Sequence, residues 1–195
     1  MSLAVLGIAC SPRRQGNSTY LLSEAMSIVQ VAGHRSEIIH LSDLNFSACQ
    51  GCGACSADAK CVLQDDMQEF QKRLIEVDRI IIAAPIFFMG LNAQAKAMID
   101  RSQPFWALKY ILNQPVITDA TRPKRRGLFI STAGTKKADV FTCAQQSIRT
   151  FFHMLEIEYT QACLYDGIDK AGEITKHQTA LTEISLATGK LMHNS

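Results

Sequence analysis

The chain has 195 residues, 47% of them hydrophobic and 19% charged, which is typical of a folded domain that buries roughly 70% of its unfolded surface. Its 20 basic and 18 acidic residues leave a net charge of +2, which excludes a strong overall attraction to nucleic acid or to anionic membranes. We therefore predict neither as a partner. No run approaches the roughly 18 apolar residues of a membrane span, and no basic segment precedes the first apolar run, so we expect a cytoplasmic protein.

Five short apolar runs alternate with helical patterns along the chain. Each run is predicted as a strand, and they cover residues 3–9, 35–40, 79–84, 127–131 and 156–164. Near-continuous apolar runs are typical of strands buried on both faces. Between them, apolar residues recur at helical spacing, and the last helix is predicted over residues 173–192. We expect one α/β domain over residues 1–195, a doubly wound five-stranded parallel sheet in three αβα layers.

The segment 103–126 carries three prolines, the single Trp and a basic run. Charged runs beside Pro usually lie in solvent, so we predict a solvated excursion ahead of the fourth strand. In the alternative interpretation, Trp106 and Tyr110 form a lid or a subunit contact.

Polar side chains follow the first predicted strand, where the chain enters a helix. Around a permissive Gly16 these side chains are Ser11, Arg13, Asn17, Ser18 and Thr19. Ligands of open α/β sheets bind at such strand ends, and a helix N-terminus attracts anions. Arg13 can hold phosphate oxygens through two hydrogen bonds. We predict a terminal phosphate here, although Asn17 or Ser18 alone could simply cap the helix.

The same loop lacks the motifs of two common phosphate sites. It has neither the glycine–lysine motif of nucleoside triphosphate sites nor the glycine motif of dinucleotide sites. We therefore predict that this loop binds a mononucleotide.

Four of the seven cysteines crowd into residues 49–61, which argues against a secreted disulfide scaffold. Cys49, Cys52, Cys55 and Cys61 have the spacing C-x2-C-x2-C-x5-C, and thiolates three residues apart in a Gly- and Ala-rich loop suit the corners of an iron-sulfur cube. The spacing is too compact for the separated knuckles of structural zinc, and Val62 stands where bacterial ferredoxins have Pro. The alternative is a set of free or redox-active thiols.

The other candidate groups receive structural roles. Cys10, Cys143 and Cys163 are predicted to be buried free thiols. Asp65 and Asp66 precede a predicted helix and are expected to cap it. No histidine, nucleophile or carboxylate pair has catalytic spacing, so we predict no catalytic residue and assign the chemistry to cofactors.

Three loops together resemble the flavodoxin-like NADPH-dependent FMN reductases. Residues 9–18 are similar to the family's G-S-P-R-x-x-G-N-S, and residues 85–101 to its P-x-Y-x-x-x-x-x-A-x-x-K-x-x-I-D-R. The resemblance implies a sheet order 2-1-3-4-5 with FMN between the first and third strands. It also implies that two further loops wrap the isoalloxazine, through Pro85, Ile86, Phe87, Phe88, Ser131, Thr132 and Gly134. Phe87 stands where Tyr is common, and Phe87 and Phe88 could instead be ordinary core aromatics.

The cysteine motif, between the second strand and the next helix, resembles the iron-sulfur flavoprotein branch of that family. The resemblance implies a 4Fe-4S cluster on Cys49, Cys52, Cys55 and Cys61, with FMN as the second cofactor. It also implies a homodimer or homotetramer in which cluster and flavin communicate.

The resemblance implies electron transfer from a ferredoxin-like donor through the cluster and FMN to a small acceptor such as dioxygen or peroxide. One alternative is a cluster-free NAD(P)H-dependent FMN or quinone reductase, in which hydride reaches the flavin directly. Another is a flavin- or metal-binding regulator whose cysteines sense oxidants.

Overall fold

A computed structural model describes residues 2–119 and 121–193. Its central sheet has five parallel strands in the order β2-β1-β3-β5-β6. These strands are β1 (Ala4–Ala9), β2 (Arg35–His40), β3 (Arg79–Phe87), β5 (Arg126–Thr132) and β6 (Glu158–Tyr165). A sixth strand, β4 (Gly90–Leu91), pairs antiparallel with the end of β3. The predicted flavodoxin-like order of the parallel strands is confirmed, whereas the count of five strands was wrong, because a two-residue strand is too short to show an alternating pattern.

Within the described residues, six α-helices cover the two faces of the sheet. They are α1 (Asn17–Val31), α2 (Met67–Glu76), α3 (Ala93–Asp100), α4 (Gln103–Tyr110), α5 (Thr142–Met154) and α6 (Ala180–Met192). Apolar side chains of α1 and α6 pack on one face, and those of α2, α3, α4 and α5 pack on the other. The predicted three-layer arrangement is confirmed.

The strands are apolar throughout because both faces of the sheet are covered. In β3, Ile80 and Ile82 pack toward α2 and α5, whereas Ile81 and Ala83 pack toward α1 and α6. Alternate side chains of a strand point to opposite faces, so a doubly covered strand needs apolar residues at every position.

The segment 103–126 differs from the predicted solvated excursion. It begins with helix α4, which has Pro104 in its first turn, where the missing N–H is not needed for a helical hydrogen bond. Its basic run ends in Arg125 and Arg126, which are buried. That prediction was wrong at both ends, because Pro was taken as a breaker and the partners of the arginines lie far along the chain.

Arg125 connects α2 and α5 to the start of β5. Its guanidinium donates to the carbonyls of Leu74, Val77 and Leu155, at the ends of α2 and α5. Burial lowers the Arg125 pKa to about 10.

The last predicted helix also differs at its start. Residues Glu173–Lys176 form a 3-10 turn, and α6 begins only at Ala180. Over residues 2–119 and 121–193, no helix has both the length and the apolar character needed to cross a membrane.

Candidate cofactor sites

The loops that follow β1, β3 and β5 meet at the carboxyl end of the sheet, around a cavity of about 80 Å³. Nine of the twelve residues predicted to hold a cofactor line it: Ser11, Arg13, Asn17, Ser18, Pro85, Ile86, Phe87, Thr132 and Gly134. The cavity lies at the N-terminus of α1, between β1 and β3, where the strand order reverses. Its small size and position suit a phosphate group.

Gly16 lets the first loop close tightly at this cavity. Its N–H donates to the carbonyl of Arg13 (3.0 Å), and the Ser11 hydroxyl accepts from the Arg13 N–H (3.1 Å). A Cβ at residue 16 would lie 2.8 Å from the Ser11 hydroxyl oxygen and 3.1 Å from the Arg13 carbonyl oxygen. The backbone cradle therefore requires glycine, as an anion-binding turn before a helix does.

Three predicted residues are held differently from the rest. The Asn17 amide, although it lines the cavity, donates to the Lys170 carbonyl (2.9 Å) and accepts from the Ile174 N–H (3.4 Å). The Thr19 hydroxyl donates to the Arg13 carbonyl (3.4 Å), and the buried Ser131 hydroxyl donates to the Ala84 carbonyl (2.8 Å). Thr19 and Ser131 line neither this cavity nor the cleft beside it.

A larger cleft of about 480 Å³ adjoins the small cavity. Ile86, Phe87 and Gly134 line both spaces, and Phe88 lines the larger one. Phe88 is fully exposed and Phe87 is 47% exposed, so the alternative that both are core aromatics is wrong. Phe88 and Met89 have φ of 48° and 64°, a strained backbone of the kind found at ligand-clamping segments.

Sequence reasoning missed the contribution of the loop after β6. Ile168 and Asp169 line the small cavity, and Asp169 also borders the larger cleft. A Cβ at Gly134 would lie 3.1 Å from the Asp169 carboxylate, so the two loops touch. The position of this loop could have predicted its role, because it also follows a parallel strand and so lies at the carboxyl ends of the strands, like the other three loops.

The four clustered cysteines line a separate cavity of about 300 Å³. Gly51 and Gly53 have φ of 65° and 72°, which lets the loop curl before a 3-10 turn over Ala54–Ser56. Arg101 and Trp106 also line the cavity. Trp106 is 43% exposed, a position consistent with the lid alternative.

Hydrogen bonds at its base hold the cysteine loop closed. The Asp66 carboxylate accepts from the Asn45 N–H (2.6 Å), and the Asp66 N–H donates to the Asn45 carbonyl (3.3 Å). The Asp65 carboxylate accepts from the N–H groups of Ser47 and Met67 (3.2 Å each). The Met67 contact satisfies an N–H in the first turn of α2, as the prediction for Asp65 required, whereas the Asp66 side chain makes no capping hydrogen bond.

Arg101 connects the loop base to the end of α3. Its guanidinium donates to both carboxylate oxygens of Asp65 (2.6 and 2.9 Å) and to the Ser47 carbonyl (2.8 Å). These hydrogen bonds lower the Asp65 pKa. The pair is nearly buried, with Arg101 1% and Asp65 14% exposed.

The donor set fits an iron-sulfur cluster. Burial raises the Cys55 pKa, and the thiols of Cys61, Cys49 and Cys52 are close enough to raise it further. In the described part of the chain no three Cys, His, Asp or Glu side chains are placed to hold one metal ion. A 4Fe-4S cluster instead needs one cysteine for each iron atom, with the four cysteines arranged around a shared space. The cysteine cavity has roughly ten times the volume of a water molecule.

The other cysteines lie outside this cavity. Cys10 and Cys163 are buried as predicted, and burial raises both pKa values, that of Cys163 to about 11. The prediction that Cys143 is buried was wrong, because it lies on the exposed face of α5.

The family described as NADPH-dependent FMN reductase matches residues 3–162. An iron-sulfur flavoprotein of Methanocaldococcus jannaschii is 40% identical over 102 residues, which cover 52% of this chain and 53% of the relative. An iron-sulfur flavoprotein of Archaeoglobus fulgidus is 36% identical over 103 residues, which cover 53% of this chain and 47% of the relative. The aligned part of the chain thus spans about half the length of these curated relatives.

Solved structures share the fold. An NAD(P)H:quinone oxidoreductase from Methanothermobacter marburgensis has a TM-score of 0.70 at 19% identity, covering 100% of both chains. An FMN-dependent NADH-azoreductase from Bacillus anthracis, in complex with FMN, has a TM-score of 0.64 at 16% identity, covering 99% of this chain and 100% of the other. The predicted family is confirmed: the chain belongs to the NADPH-dependent FMN reductases, a family of flavin-dependent oxidoreductases, and within it is similar to the iron-sulfur flavoproteins.

Proposed function

We propose that this chain is an FMN-dependent oxidoreductase that passes electrons between a 4Fe-4S cluster and FMN to reduce a small acceptor. One observation carries the proposal. All four cysteines line one cavity, and nine of the twelve residues predicted for FMN line a separate one at the N-terminus of α1.

The flavin site has a polar end and an apolar end. At the polar end, Arg13, Ser18 and the free N–H groups of α1 would hold the phosphate in the small cavity. At the apolar end, Ile86 and Phe87 border the larger cleft and would cover an aromatic ring system. Asp169 borders both spaces, and its carboxylate suits the hydroxyl groups of a ribityl chain that joins phosphate to ring.

At the second site, Cys49, Cys52, Cys55 and Cys61 would hold the cluster, and Arg101 and Trp106 would limit the access of water. When bound, FMN supplies one- or two-electron chemistry and the cluster supplies one-electron chemistry, so the pair can join a one-electron carrier to a two-electron substrate. The protein's own part is to bind, orient and shield.

For partners, we propose a ferredoxin-like donor and a small-molecule acceptor such as dioxygen or peroxide. We propose a homodimer or homotetramer, with neither nucleic acid nor membrane as a partner. The near-balanced net charge of +2 supports the exclusion of polyanionic partners.

A second candidate is a cluster-free reductase in which NADH or NADPH reduces FMN directly. The match of residues 3–162 to the NADPH-dependent FMN reductases favours it, because that name gives NADPH as the reductant of FMN. In that case the four cysteines would be free or redox-active thiols.

Analysis of anaerobically purified protein separates the two candidates. We expect iron, acid-labile sulfide and FMN in the parent protein. Replacing Cys49, Cys52, Cys55 or Cys61 by Ala opens one coordination corner, so bound iron should fall while FMN stays near stoichiometric, because separate loops hold it. Flavin reduction by a ferredoxin-like protein donor, which would pass electrons through the cluster, should collapse in these variants, whereas direct reduction of the flavin by dithionite or hydride should persist.

Cys143→Ala is the matched control, because Cys143 is exposed and lies outside the cysteine cavity. It should leave iron and FMN unchanged. If the parent protein binds FMN but contains neither iron nor sulfide, the proposal of a cluster is wrong and the cluster-free FMN reductase is supported.

A further inference from the structure

One buried nitrogen of the Arg101 guanidinium has no hydrogen-bond partner among the described residues. The two terminal nitrogens of its guanidinium bind Asp65, and one of them also binds the Ser47 carbonyl. The third nitrogen, Nε, is buried and has no hydrogen-bond partner among the described residues. The side chain as a whole is 1% exposed.

This unpaired donor belongs to a residue in the wall of the cysteine cavity. Arg101 and the four clustered cysteines line the same space, and no other arginine lines it in the described part of the chain. Cys61 lies close enough to raise the Arg101 pKa, partly through a side-chain hydrogen bond with the guanidinium and after the larger effect of Asp65. Nε itself has no hydrogen-bond partner of normal geometry among the described residues.

A buried N–H of a charged group is costly to leave without an acceptor. Inside this cavity, the acceptors that the proposed function would supply are sulfur atoms, either the Cys61 thiolate or a sulfide of the cluster. We propose that Arg101 is a positioning and tuning residue that donates an Nε–H···S hydrogen bond to the cluster at its Cys61 corner. This inference rests on the proposed function, since it requires the cluster.

Such a hydrogen bond would act on the reduction potential. A cluster carries more negative charge after it accepts an electron, so a cationic donor stabilises the reduced form more than the oxidised form. Arg101 would therefore raise the midpoint potential of the cluster. The FMN potential should not respond, because Arg101 does not line the flavin cavity or the cleft beside it.

Two variants separate this role from simple support of the loop. Arg101→Lys keeps a cation for Asp65 but has no Nε–H, so the cluster midpoint potential should fall while the FMN potential stays constant. Asp65→Asn keeps Nε–H and removes a negative charge at the opposite edge of the guanidinium, so the cluster potential should stay constant or rise. An equal fall in both variants, or no fall in Arg101→Lys, would overturn the proposal.

A measurement on the unsubstituted protein guards against variants that fail to fold. Protein carrying arginine labelled with ¹⁵N only in its guanidinium group is reduced anaerobically, and pulsed electron paramagnetic resonance of the reduced cluster is recorded. We expect a weak ¹⁵N coupling that is absent from unlabelled protein. A reduced cluster without this coupling overturns the role of Arg101 alone, whereas a protein without iron and sulfide overturns the proposed function as well.

Discussion

Arg13 and Arg14 are neighbours in sequence with different surroundings. Arg13 lines the small cavity at the N-terminus of α1, whereas Arg14 forms an exposed ion pair with Asp43. Arg13→Ala should therefore weaken FMN binding, because a charge-assisted hydrogen bond to the phosphate is worth about 1.5 to 3 kcal/mol. This free energy corresponds to a rise of roughly ten- to hundredfold in the dissociation constant for FMN. Flavin fluorescence titration measures that constant.

Arg14→Ala is the control for the loss of a positive charge in the same loop. Its dissociation constant should stay close to that of the parent, because exposed ion pairs contribute little. Equal weakening by both variants would show a general electrostatic attraction rather than a phosphate contact by Arg13.

Residues with local signals were predictable, and those with distant partners were not. Gly16, Ser11 and Arg13 lie within one loop, so their shared role could be predicted from a single segment. The pair of Asp65 and Arg101 joins positions 36 residues apart, and neither sequence neighbourhood points to the other. Only the tertiary fold brings their charges together.

Two glycines inside regular elements have opposite surroundings. A Cβ at Gly127, in β5, would overlap the Phe152 ring, whereas a Cβ at Gly189, in α6, meets no atom within 4 Å. Gly127→Ala should lower the free energy of unfolding by about 1 to 3 kcal/mol, because it overpacks the core. Gly189→Ala should raise it by about 0.5 to 1 kcal/mol, because Ala loses less backbone entropy in a helix.

Urea unfolding measures both changes in free energy. The two substitutions are chemically the same, so opposite signs of the two changes report the different surroundings of the two positions. Equal effects of the two variants would contradict the structure at Gly127.

The base of the cysteine loop should respond to acid through Asp65. Hydrogen bonds from Arg101 hold the Asp65 pKa below its ordinary value of 3.8. The carboxylate therefore contributes its full stabilisation above pH 3.8, and that contribution is lost as the pH falls through the lower value of the folded protein. The gap in unfolding free energy between the parent and Asp65→Asn should be constant near neutral pH and shrink below about pH 4.

Urea titrations at a series of pH values test this expectation. A gap that stays constant into the acid range would mean that the Asp65 pKa is not lowered by folding. Because the side chain at position 65 cannot titrate in Asp65→Asn, any loss of stability in acid that this variant shares with the parent comes from other groups.

Among the elements, the buried strands were more predictable than α4. Residues 79–84 form a continuous apolar run, which is a sufficient signal for a doubly covered strand. Helix α4 has Pro104 near its start and only eight residues, so its pattern is short and its proline is ambiguous. The two-residue strand β4 has no sequence period at all.

At the scale of the molecule, the carboxyl ends and the amino ends of the strands serve different functions. The small cavity predicted for the FMN phosphate lies at the carboxyl ends of the strands, whereas Arg125 joins α2, α5 and β5 at the amino ends. Arg125→Met should lower the free energy of unfolding by at least about 3 kcal/mol, because three buried carbonyls lose their donor at about 1 to 3 kcal/mol each. Folded variant protein should bind FMN and iron as the parent does.

The measurement compares unfolding with cofactor content in the purified folded fraction. Loss of either cofactor from fully folded Arg125→Met would contradict this separation of stability from chemistry. Arg126→Met is a less suitable comparison, because Arg126 contacts Glu158 and the His193 carbonyl and so binds different elements.

The closed base of the cysteine loop has a consequence for the history of such proteins. Asn45 and Asp66 already lie side by side, so the chain between them can be lengthened, shortened or exchanged at a small cost in loop-closure entropy. The connection from β2 to α2 would remain intact without the cysteines. The segment that carries the four cysteines can thus be exchanged without changing the scaffold around it. Under the proposed function, descendants of one ancestor could gain or lose one-electron chemistry by editing a single loop.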